Sequence, residues 1–143
     1  MQVQQILTGK GRDVVTADPD CSVAEAARAL ANRRIGALVV CDDEDHVIGV
    51  FSERDLVNAI AEHGARILNG HVADIMSHDP VTCSLDDSCH DLMQLMTRHR
   101  VRHLPVLEDG RLVGIVSIGD VVKHRVDEIE TEAGILRDYV MAR

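Results

Sequence analysis

Hydrophobic positions along the chain alternate between two periods. Short apolar, mostly β-branched runs at residues 14–16, 37–41 and 47–52 predict strands. Between the first two, Val23, Ala26, Ala27 and Leu30 recur at spacings of three and four, the signature of one helix face. Ser22 stands where an N-cap belongs, and Glu25 three residues on fits a capping box. A second helix is predicted over 54–63, directly after the strand ending at Ser52.

The same order then returns. A strand at 81–83 leads to Ser88 as N-cap, with Asp91 as a shorter variant of the capping acid. Cys89, Leu92, Met93 and Met96 form one helix face, on which the two methionines read as core filling. Strands at 104–107 and 112–117 flank Asp109-Gly110, a hairpin signal, and a helix begins at Gly119. Displaced by 66 positions, the two segments share Val15/Val81, Thr16/Thr82, Asp20/Asp86, Ser22/Ser88, Arg34/Arg100, Leu38/Leu104, Val40/Val106 and Asp43/Asp109. One residue drops out in the turn. Gly49/Gly114, Ser52/Ser117, Asp55/Asp120 and Val57/Val122 then continue the match. The chain is a duplication of a strand, helix, strand, strand, helix unit.

Neither copy, at about 60 residues, buries much alone, so the halves are expected to pack face to face as one module. The division is a first motif at 6–63, a linker at 64–71, a second motif at 72–126 and a helical extension at 127–143. Residues 72–76 read as a single helical turn. In the extension, Ile129, Ala133, Leu136 and Val140 lie along one face, as in a helix that packs on a neighbour or a second chain.

Composition narrows the function. Fifteen basic residues against 24 acidic ones give a net charge of −9, which argues against nucleic acid as a partner. One Phe, one Tyr and no Trp exclude a base-stacking platform. No apolar run approaches a membrane span and the start lacks signal-peptide character, so a cytoplasmic setting without a membrane partner is expected. Four cysteines without a C-x-x-C pair fit a reducing compartment, and a thiol sensor is the lesser reading. Eight histidines form no H-E-x-x-H, and no nucleophile elbow, P-loop or G-x-G-x-x-G is present, so neither enzyme activity nor a metal is expected.

The repeated marks carry a family likeness. They are Thr82, Arg102-His103-Leu104-Pro105-Val106 and Gly114-Ile115-Val116-Ser117-Ile118-Gly119-Asp120. Their first-copy equivalents are Thr16, Gly36-Ala37-Leu38-Val39-Val40 and Gly49-Val50-Phe51-Ser52-Glu53-Arg54-Asp55. From about residue 6 to 126 the chain resembles a tandem pair of CBS (cystathionine-β-synthase-type) domains, the Bateman module. The resemblance implies an α+β fold of two β-α-β-β-α motifs in a pseudo-two-fold pair, with two clefts for adenine-containing ligands: AMP first, then NAD, ATP or S-adenosylmethionine. It also implies homodimers of four domains in a flat disc.

The residues have their own chemistry at those places. Ser52 and Ser117 end strands, and Asp55 and Asp120 sit in the first turn of the following helix. Free N–H groups and the helix dipole there suit a phosphate, and a carboxylate beside them suits a ribose diol. The alternative is a plain helix cap. Thirteen of the fifteen basic residues are arginine, suited to bidentate phosphate contact, and Arg54 and Arg102 are the ligand candidates. The expected nucleotide site comprises Val15, Thr16, Ile35, Gly36, Ala37, Ser52, Arg54, Asp55, Thr82, Arg102, His103, Leu104, Pro105, Ser117, Gly119 and Asp120. In it the base lies between aliphatic side chains such as Val15, Ile35 and Leu104. Gly119 favours an AMP-like site on copy two, with a different or larger ligand on copy one. Two functions stay open: a nucleotide sensor acting on a client protein in trans, or a dimerisation scaffold without nucleotide.

Overall fold

A computed structural model describes residues 1–142; Arg143, the end of the predicted extension, lies outside the described residues. The elements run α1 (Val3–Lys10), β1 (Thr16–Ala17), α2 (Val23–Arg33), β2 (Ala37–Cys41), β3 (Val47–Ser52) and α3 (Glu53–His63). Two 3-10 turns (Ala65–Asn69, Val72–Asp74) follow, then β4 (Ser77–His78), β5 (Cys83–Ser84), α4 (Cys89–His99), β6 (His103–Glu108), β7 (Arg111–Ser117) and α5 (Ile118–Met141). This is an α+β fold with two sheets, ordered β1-β2-β3-β4 and β5-β6-β7.

The duplication is visible in the registers. Thr16 pairs with Val39 and Cys83 with Val106, both in parallel. The antiparallel hairpins β2–β3 and β6–β7 each slip register at the same place, Val40/Cys41 and Val106/Leu107. At the second copy's cap, Ser88 Oγ accepts the Asp91 N–H and the Asp91 carboxylate accepts the Ser88 N–H, both at 3.1 Å. The shorter acid thus closes the reciprocal box, while the Ser22 cap consists of the Glu25 N–H bond to Ser22 Oγ.

Each half has its own core, and each core is completed from elsewhere in the chain. Val23, Ala26, Leu30, Leu38, Val40 and Phe51 of the first copy close around Val72 and Met76. Leu92, Met96, Leu104, Val106, Val116 and Val121 of the second close around Val3, Ile6 and Leu7 of α1. Met93 departs from the expected core face: it is 39% exposed, because the inward positions of α4 are Cys89, Leu92 and Met96, and Met93 is one residue further round the helix.

The plugs from α1 and from residues 72–76 are themselves a repeat. Val3-Gln4-Gln5-Ile6-Leu7 answers Val72-Ala73-Asp74-Ile75-Met76. Val3 N–H donates to Asp87 O and Val72 N–H to Cys21 O, each at 2.9 Å. Leu7 lies on Gly114 and Met76 on Gly49; a Cβ would fall 2.7 Å from Leu7 Cδ1 and 2.9 Å from Met76 Cγ. Those two glycines are where the strand must admit another segment.

After the plugs the halves diverge. Residues 77–78 pair with β3 as a fourth strand, Ser77 opposite Val50. In the other half α1 continues as helix to Lys10, and the second sheet has three strands.

Candidate functional site

A cleft of about 390 Å³ opens between the halves. One wall is the N-terminus of α3 with Ser52, Glu53, Arg54 and Asp55, joined by Gly36 and Val50. The other comprises Ser77, Pro80, Val81 and the strand entrance Arg100, Val101, Arg102 and His103. Arg100 closes α4 in the left-handed conformation (φ 55°), as Arg34 closes α2 (φ 53°), so the chain turns sharply before it enters the cleft wall.

The Ser-x-x-Asp pair is a capping box. Ser52 Oγ accepts the Asp55 N–H at 3.2 Å; Asp55 Oδ2 accepts the Ser52 N–H at 2.9 Å and the Ser52 hydroxyl at 3.0 Å. Ser77 donates its hydroxyl to Asp55 Oδ1 at 3.3 Å, from the strand that only this half possesses. A carboxylate offers about four lone-pair sites, so capping does not exhaust Asp55 as an acceptor. Three arginines, Arg54, Arg100 and Arg102, line the same cleft as Glu53 and Asp55. The arrangement can accept hydrogen bonds from a diol at Asp55 and hold an anion at the arginines and helix N-terminus.

The corresponding Ser117-Asp120 box has the same geometry and a different occupant. Asp120 Oδ2 accepts the Ser117 N–H at 2.9 Å, the Ser117 hydroxyl at 3.0 Å and the Lys10 ammonium at 2.7 Å. Lys10 Nζ also donates to Ile115 O at 2.9 Å. Ile115 corresponds to Val50, the partner of Ser77, so the ammonium sits beside the strand position that β4 pairs in the first half. Burial pushes the Asp120 carboxyl up, but the Lys10 and Ser117 hydrogen bonds and the Lys10 charge outweigh it, and the group lies below its usual range. Nothing in the local sequence of either half signals this contact, because Lys10 and Asp120 are 110 residues apart.

Comparison with known proteins places the fold. The model of the CBS domain matches twice, over residues 6–62 and 72–127. The chain belongs to the CBS domain family. A CBS-domain containing protein of Agrobacterium tumefaciens is 50% identical, with a TM-score of 0.84 over 87% of this chain and 92% of its own. The CBS domain-containing protein CBSX3, mitochondrial, of Arabidopsis thaliana is 31% identical, covering 96% of this chain and 71% of its own. A CBS domain protein of Pyrobaculum aerophilum, solved as its complex with AMP, is 30% identical, with a TM-score of 0.75 over 84% of this chain and 89% of its own.

Within this CBS pair the expected site residues divide. Gly36, Ser52, Arg54, Asp55, Arg102 and His103 come together in the open cleft. Ser117, Gly119 and Asp120 lie at the start of α5, where Asp120 is held by Lys10. Val15 and Ile35 are half-buried against the first core, and Thr82 is half-buried beside β5. Ala37 is 5% exposed and Pro105 is buried. Leu104 is fully buried in the second core, so it cannot lie against a base: alternate residues of β6 face inward and Leu104 takes an inward place. Thr16 faces a separate groove at the hairpin turns, with Glu44, Asp45 and Gly110.

The expected list omits Val50, Glu53, Ser77, Pro80, Val81, Arg100 and Val101. Arg100 was legible as the repeat partner of Arg34. Ser77 gave no signal, since its strand pairing depends on the plug before it.

His103 sits where the copies meet. A Cβ at Gly36 would fall 3.2 Å from the His103 ring, so the glycine makes room for the imidazole of the other half. Burial lowers the His103 pKa against the pull of Glu53; Lys10 and Arg102 lower it further and Asp120 raises it. The cysteines are free thiols, all raised by burial first, Cys83 to about 12. Among the described residues no helix is long and apolar enough to cross a membrane, and no group of three or more His, Cys, Asp or Glu is placed to hold a metal.

Proposed function

We propose that this CBS pair is a non-enzymatic regulatory module that binds an adenine nucleotide in the Asp55 cleft and alters a client protein in trans. The observation that carries the reading is the convergence of a carboxylate at a helix N-terminus with three arginines in one cleft between the repeats. AMP is the favoured ligand, ahead of NAD or ATP, and the Lys10 contact on Asp120 moves it to copy one from copy two, where Gly119 favoured it. A cleft near 390 Å³ is at the small end of ligand sites, which span roughly 300–1,000 Å³ and at that end suit a mononucleotide. The AMP complex of the Pyrobaculum relative supports the same choice. In this reading Asp55 takes the ribose diol, Arg102 and Arg54 take the phosphate, and Val81 and Val101 flank the base.

A scaffold without nucleotide is the second reading, favoured by one observation: both Asp residues already serve as helix caps, and Asp120 is engaged by Lys10. Melting of the full chain with AMP, ATP, NAD and S-adenosylmethionine separates the two. AMP at about 100 times its Kd adds ~2.7 kcal/mol, a rise of about 5–10 °C for a chain of this size. Arg102→Ala and Asp55→Asn each remove most of that rise. If none of the four ligands moves the transition, the sensor reading fails and the scaffold stands.

A further inference from the structure

The α5 helix carries a second surface unrelated to the clefts. Val122, Val126, Ile129, Ala133, Leu136 and Val140 are spaced four, three, four, three, four. That is a heptad seam of period 3.5, with Val126, Ala133 and Val140 at a and Val122, Ile129 and Leu136 at d. All six are exposed, the five larger ones from 46% at Val126 to 64% at Leu136. The helix rests on the body through another face, at Val121, His124 and Glu128. At 3.6 residues per turn the seam points about 120° away from it. A narrow two-position stripe is what a second helix covers, whereas a sheet or a groove calls for a broader face.

The flanking charges say which helix. The e positions are Lys123, Glu130 and Arg137; the g positions are Arg125, Glu132 and Tyr139. Two copies side by side, parallel and in register, bring each g residue to the e residue five positions on in its partner. Those pairs are Arg125 with Glu130 and Glu132 with Arg137, each formed twice and all attractive. An antiparallel pair that covers all six seam positions sets Glu130 against Glu130, Glu132 against Glu132 and Lys123 against Arg137. Val126 and Val140 at a with Leu136 at d favour two strands. Under three heptads are marginal for free helices, but here the helix is started by the Ser117 cap and by Val121 packing in the second core.

We propose that α5 is the homodimerisation element of this protein, through a parallel two-stranded coiled coil along residues 122–140. The seam lies along α5 alone, and its pairing does not depend on nucleotide binding.

Sedimentation equilibrium of the full chain without ligand tests it, with circular dichroism and melting as folding controls for variants at these exposed positions. The wild type is expected to be a dimer, and Leu136→Asp to weaken it at least about tenfold. Arg137→Glu, which sets Glu132 against a new glutamate, weakens it as well. Adding Glu132→Arg to Arg137→Glu restores the dimer; adding Glu130→Arg instead does not, because Arg125 then faces an arginine. A monomeric wild type, or a dimer indifferent to Leu136→Asp and Arg137→Glu, overturns the seam. Rescue by Glu130→Arg rather than Glu132→Arg overturns the parallel arrangement.

Discussion

The two Ser-x-x-Asp boxes differ in what reaches them from outside, Lys10 on Asp120 and Ser77 on Asp55. They have the same three internal bonds within 0.1 Å, so the caps themselves do not distinguish the halves. Lys10 does, by placing a cation on Asp120 and on the neighbouring Ile115 carbonyl. Since the Asp120 carboxyl is held below its usual value, the contact is present above about pH 4 and lost only as pH falls through the lowered pKa. Both side chains are partly solvated, 32% and 24% exposed, so the pair is worth about 1 kcal/mol. On the sensor reading, a ligand that must displace Lys10 from Asp120 is weakened by roughly fivefold and not excluded. Lys10→Met is expected to tighten the second binding event about fivefold in calorimetry at pH 7 while leaving the first unchanged. A Lys10→Met chain that binds nucleotide just as the wild type does would show that Lys10 has no such role.

The elements show how far a pattern can be followed. Helices, hairpins and caps of both copies are legible because each is specified by neighbours in sequence: the capping serines, the period of the apolar face, the Asp-Gly turn. What was not legible is what joins the copies to the rest of the chain. The α1 helix is short, and its three buried residues, Val3, Ile6 and Leu7, resemble any apolar scatter until they are set against Val72, Ile75 and Met76 three positions off the main repeat. That shift hides the plug from a fixed-offset comparison. The two-residue strands β1 and β5 run later than the apolar pattern at 14–16 and 81–83, because parallel pairing with β2 and β6 sets their bounds. The packing gives a direct consequence for α1. Leu7 is 1% exposed and lies on Gly114, so Leu7→Ala leaves a cavity in the second core and costs about 2–5 kcal/mol. Chemical denaturation should show it as a lower midpoint with an unchanged slope. A loss under 1 kcal/mol would mean that α1 is an appendage and not part of the core.

At the scale of the whole molecule the two copies are interleaved, and the order of the chain misstates what packs with what. Residues 1–10 complete the second core, and residues 72–76 complete the first, so a cut in the linker leaves each half without its own plug and carrying the other's. A fragment of residues 1–63 lacks Val72, Met76 and the β4 edge strand while exposing Val3, Ile6 and Leu7. A fragment of residues 12–79 has its plug and its fourth strand. At about 60–70 residues both are near the limit of what one small core sustains, so the loss of two buried side chains decides between them. Residues 12–79 are expected to unfold with a sigmoidal denaturant transition, and residues 1–63 to show none. The full chain unfolds as one unit, since opening either half also exposes the segment that completes the other. If 1–63 unfolds as cooperatively as 12–79, the plugs are not structural and each half folds on its strands and helices alone.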